Sequence, residues 1–110
     1  MRALLTTLAA AFLALAPHSA SAQAVDVKAA EKVLRDNDCT KCHAVARDKE
    51  GPAYKKVAEK YKGKADGEQK LIVHMTSEPT VEVDGKKEKH KKTAGSDADL
   101  KNLAQYILSR

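Results

Sequence analysis

The chain has 110 residues, of which 32% are charged and only 4% aromatic, with a formal net charge of +5. With no Trp, three Tyr and one Phe, it lacks the large side chains that would offset the entropy of ordering so small a chain, so a core of protein alone is not expected to suffice. Some staple is expected, and it is not a structural disulfide, because both cysteines stand in one short motif.

Residues 1–22 read as a secretory leader. Arg2 supplies the positive start, Leu4 to Ala16 is an apolar run, and Ala20-Ser21-Ala22 is a small-residue cleavage site. The run is shorter than the ~20 residues a membrane span needs. The remaining domain, 23–110, loses only Arg2 from the charge count, so nineteen Lys and Arg stand against fifteen Asp and Glu, a net charge of +4. No stable membrane insertion is expected of it. In an exported protein this modest basic excess points to acidic protein partners rather than nucleic acid. The expected location is the periplasm.

Residues 25–36 are predicted as a helix, with Val27, Ala30, Val33 and Leu34 on one stripe and Asp26 as its cap. Asn37-Asp38 breaks it. Cys39-Thr40-Lys41-Cys42-His43 follows, a C-x-x-C-H run, the attachment signature of a c-type haem. Each thiol adds to one porphyrin vinyl group, and two intervening residues let both sulfurs reach from one turn of backbone. His43, next in line, lies under the iron as proximal ligand. A thioredoxin-like redox pair would want a preceding strand and a βαβ context, neither of which is read here. A zinc site would want about two more ligands at matched spacing. A covalent porphyrin is also the large apolar body that the composition lacks.

A polar loop over 44–50 and a Gly51-Pro52 turn lead to a second helix over 53–61, with Tyr54, Val57, Ala58 and Tyr61 at helical spacing and Gly63 ending it. Asp66 is the expected cap of a third helix running to Met75, with Leu71, Ile72 and Met75 as its apolar face and His74 on the exposed side. Glu78-Pro79 stops it. A short hairpin is expected near 81–87, turning at Asp84-Gly85. Residues 86–92 hold five lysines around His90. The last helix, over 97–109, carries Leu100, Leu103, Ala104, Ile107 and Leu108 on one stripe, capped by Ser96 or Asp97.

The whole of 23–110 resembles the class I (monohaem) bacterial cytochromes c of the small c-551/c-552 style. The resemblance rests on the haem motif, on Ala30 and Leu34 four apart in the first helix, on Leu103 and Tyr106 three apart in the last, and on Gly51-Pro52-Ala53-Tyr54. It implies an all-α fold of about four helices around one covalent haem c, with the first and last helices crossing at the small Ala30. It also implies that the Pro52 carbonyl orients the proximal His43. The family's distal ligand is a methionine, about six residues before a Ser-Asp helix start. Here that position is His90, and the only methionine of 23–110 is Met75. His90 is therefore the expected distal iron ligand, making a bis-histidine haem, and Met75 is the alternative. His43 is expected to face a cavity walled by Pro52, Leu71, Met75 and the 77–95 segment.

With both axial positions filled, the implied function is one-electron transfer to redox protein partners and not enzymatic turnover. The five lysines form a candidate docking surface for acidic partners. The alternative is a haem sensor or gas-binding protein in which His90 dissociates and an exogenous ligand takes its place.

Overall fold

The computed structural model describes residues 24–110, so the expected leader over 1–22 lies outside the described residues. In chain order come α1 (Val27–Asp36), a 3₁₀ turn (Cys39–Lys41), α2 (Tyr54–Tyr61), α3 (Gly67–Thr76), β1 (Thr80–Val83), β2 (Lys86–Lys89) and α4 (Asp97–Leu108). This is the expected all-helical architecture, with the hairpin as its one sheet element.

Each helix start has a local cause. Asp26 caps α1 by accepting the Ala29 N–H at 2.9 Å. The helix therefore begins after Asp26 and not at Val25. Val27 in its first turn is 42% exposed, so the buried stripe starts only at Ala30. α2 has no side-chain cap of its own. Its orphan N–H groups are taken instead by the preceding loop: Asp48 Oδ1 accepts from Ala53 at 2.9 Å, and the carbonyls of Ala44 and Val45 accept from Tyr54 and Lys55 at 2.9 and 3.0 Å. Asp66 precedes α3 but makes no capping bond, contrary to expectation. Its carboxylate turns along the helix to Lys70, 3.0 Å away. α4 opens on a reciprocal capping box between Ser96 and Asp99.

α1, α2 and α3 all pack on α4. Ala30, Leu103 and Ala104 are fully buried at the centre, where small residues let the helices approach closely. Leu34, Tyr54, Leu71, Met75, Tyr106 and Ile107 complete the core around them. Burying a side chain the size of Leu103 is worth about 1.5–3 kcal/mol. The hairpin pairs Thr80 with Lys89 through Val83 with Lys86. Its two-residue turn has Asp84 and Gly85 both in the left-handed region, at φ 50° and 76°, the type I′ geometry that matches strand twist.

Candidate haem site

Helix α1 ends at Asn37, and Asp38, left-handed at φ 57°, turns the chain into the 3₁₀ turn. Within that turn the Cys42 and His43 N–H groups both donate to the Cys39 carbonyl, at 3.2 and 3.0 Å. The motif is thus a closed knot of backbone with its two thiols and one imidazole on a single turn. Both cysteines are free and half-buried. Burial pushes the Cys39 thiol above its ordinary value. The Cys42 thiol is pushed up chiefly by donating to Glu50 Oε2, 3.3 Å away.

His43 Nδ1 donates to the Pro52 carbonyl at 2.8 Å. That bond selects the tautomer and leaves Nε2 as the free ligating nitrogen. The ring is held on its flanks as well. Tyr54 stacks on it with ring centres 5.2 Å apart, and a Cβ on Gly51 would come within 2.4 Å of its Cε1. Burial outweighs the Pro52 bond and lowers the His43 pKa, which favours the neutral, ligating form.

His90 stands just beyond β2, half-buried. Its N–H donates to the Pro79 carbonyl and its Nδ1 to the Lys91 carbonyl, both at 2.8 Å. Nε2 is again the nitrogen left over. The His43 and His90 ring centres lie 6.3 Å apart, tilted by 43°. Two imidazoles bound on opposite sides of one metal, at about 2 Å per bond, would have centres about 6 Å apart. The donor set and its spacing therefore fit a haem iron, and the adjacent thiols fit covalent attachment of its porphyrin.

The apolar face expected for the third helix is buried. Met75 and Leu71 are 7% and 6% exposed and belong to the helical core. His43 also lines a cleft of about 250 Å³ bordered by Leu34, Ala44, Val45, Tyr54 and Tyr106. Lys91 reaches Asp38 at 3.2 Å, and Lys41 reaches the same carboxylate at 3.3 Å. The two cations hold the Asp38 carboxyl below its usual range. The sequence reading put Lys91 in the candidate docking surface and missed this tie, since 53 residues separate the partners. It also left His74 as an isolated surface group. His74 is exposed, but its ring meets His90 edge-on at 4.6 Å. Nothing in the local sequence signals that contact.

Residues 27–110 match the cytochrome c family. The chain is similar to the crystal structure of the class 1 cytochrome MtoD from Sideroxydans lithotrophicus ES-1, with 53% identity, coverage of 78% of this chain and 97% of that one, and a TM-score of 0.76. It is also similar to wild-type cytochrome c552 of Nitrosomonas europaea, with 30% identity, coverage of 72% and 96%, and a TM-score of 0.60. A comparison with curated protein sequences gives no match.

Proposed function

The chain belongs to the cytochrome c family, and from that premise we propose that it is a periplasmic one-electron carrier whose haem iron is held between His43 and His90. It carries one covalently bound c-type haem, for which Cys39, Cys42 and His43 form the attachment motif. When bound, the haem supplies one-electron exchange between ferric and ferrous iron. The chain's residues do the rest. Cys39 and Cys42 hold the porphyrin through thioethers. His43 and His90 would ligate through Nε2, while the carbonyls of Pro52 and Lys91 hold their Nδ1 protons and fix the planes of the rings.

The observation that carries the bis-histidine reading is the 6.3 Å spacing of two imidazoles whose Nδ1 atoms are both tied to backbone carbonyls. Two filled axial positions leave no place for a substrate, which is why a carrier is favoured over an enzyme. Exchanging a thioether for an imidazole sets the potential below that of Met/His relatives. The location rests on the leader over 1–22, and among the described residues no helix is long and apolar enough to cross a membrane. Amino-terminal sequencing of the secreted form should begin at Gln23.

The ligand assignment is tested by paramagnetic resonance and visible spectra of the ferric holoprotein. A low-spin bis-imidazole signal without the weak near-red band of methionine ligation is expected. His90→Ala should turn it high-spin, and Met75→Leu should leave it nearly unchanged. The reverse pattern would make this a Met/His cytochrome. Rapid CO binding by the ferrous wild type would favour the sensor reading, in which His90 leaves the iron.

A further inference from the structure

We propose that Asn37 is a positioning residue for the distal ligand: its amide clamps the loop that carries His90 onto the segment that carries the haem cysteines. The proposal rests on the reading of His90 as that ligand. Asn37 lies two residues before Cys39 and is buried, with 8% exposure. Its Nδ2 donates to the Ala94 carbonyl at 3.0 Å, and the Ala94 N–H donates back to Oδ1 at 2.8 Å. The second Nδ2 proton goes to the Val33 carbonyl at 3.0 Å, which fixes the amide plane against α1.

Side chain and backbone are thus paired as two strand residues pair, across 57 residues of sequence. Only an amide can do this. A carboxylate offers acceptors alone, and an aliphatic group of the same size offers neither. Ala94 is four residues after His90, and between β2 and α4 the chain has no regular structure of its own. What fixes that loop is tertiary. The His90 N–H donates to the Pro79 carbonyl at 2.8 Å, the Thr93 N–H to the Met75 carbonyl at 2.7 Å, Lys91 pairs with Asp38, and Ala94 pairs with Asn37. The Lys91–Asp38 pair is solvent-exposed and contributes little. The Asn37 pair is partly buried, and buried polar groups left unpaired are costly. The chain therefore joins the two iron ligands by a short mechanical route: His43 to the Cys39 carbonyl, back to Asn37, across to Ala94 and on to His90.

A purely structural role is the competing explanation, because Asn37 also ends α1. The molecule contains its own control. Asn102 makes the same two-bond amide clamp on Asp26, donating to its carbonyl at 2.8 Å and accepting its N–H at 2.9 Å, at the opposite end of α1. The experiment follows displacement of the distal ligand from the ferric holoprotein by cyanide, together with amide exchange at Ala94. Asn37→Ala should speed displacement about tenfold and speed exchange at Ala94, with the low-spin signal kept in the absence of cyanide. Asn102→Ala should leave both near the wild-type rates, whatever it does to Tm. An unchanged rate in Asn37→Ala, or equal acceleration in both variants, would overturn the clamp. If Asn37→Ala does not accumulate, Asn37→Asp takes its place with the same two outcomes. His90→Ala separates the two claims. A high-spin His90→Ala beside an unaccelerated Asn37→Ala sinks the clamp alone, whereas a low-spin His90→Ala sinks the ligand assignment and the clamp with it.

Discussion

Gly51 lies outside the left-handed region, so backbone freedom does not explain it. Its neighbour does. A Cβ there would stand 2.4 Å from Cε1 of His43 and 2.9 Å from both ring nitrogens. The ring cannot swing aside without giving up its bond to Pro52 and its stack on Tyr54. Gly51→Ala is therefore expected to lower stability by about 1–3 kcal/mol, the usual cost of overpacking, and to alter the resonance signal of the ferric haem. Gly63→Ala is the comparison. Its backbone is left-handed, at φ 73°, so an alanine there is strained, but nothing lies near the added methyl group; Tm should fall while the haem signal stays as in wild type. At the other axial position, His90→Met should raise the potential, as voltammetry would read it, because a thioether favours ferrous iron. At this scale the haem motif was legible because covalent chemistry dictates its spacing. Asn37, Lys91 and His74 were not, because what they touch is set by tertiary packing and leaves no periodic trace in the chain.

Among the elements, α1 and α4 were legible from apolar spacing and from caps at Asp26 and Ser96. The misreadings have local reasons. Asp66 satisfies Lys70 in place of a helix N–H, and α2 borrows its cap from a loop that looked merely polar. Two predictions belong here. Ala30 is fully buried in the α1–α4 core beside Leu103 and Ala104, so Ala30→Leu should force the helices apart and cost about 1–3 kcal/mol, measured by denaturant midpoint. The loop before α2 should be acid-sensitive. The Lys56 ammonium, and then the Ala53 N–H, hold the Asp48 carboxyl below its ordinary value of 3.8. A carboxyl whose folded pKa is depressed stabilises above its unfolded pKa and loses that contribution as pH falls through the folded value. Tm measured against pH should thus drop below about pH 3.8, and Asp48→Asn should flatten that part of the curve.

For the whole molecule, the helical core closes around few large side chains, and the covalent haem is the added body that such a composition calls for. Redox protein partners must approach it, and we propose the hairpin as the face they meet, from its charge pattern. All four residues of β2 are exposed, three of them lysines, and His90 follows directly. Lys91 pairs with Asp38 in an exposed bridge, so the charges of the proposed docking surface without such a partner are Lys86, Lys87, Lys89 and Lys92. A partner with an acidic face would feel these charges across roughly 30 Å at 0.01 M salt but only about 10 Å at 0.1 M. Electron-exchange rates with such a partner, followed by stopped-flow, should fall about tenfold over that range. Lys87→Glu with Lys92→Glu should slow the low-salt rate and weaken the salt dependence, while leaving the visible spectrum unchanged. Rates indifferent to salt and to the double reversal would remove the hairpin as the docking face and move the search to the cleft beside His43, where Val45 is 37% exposed.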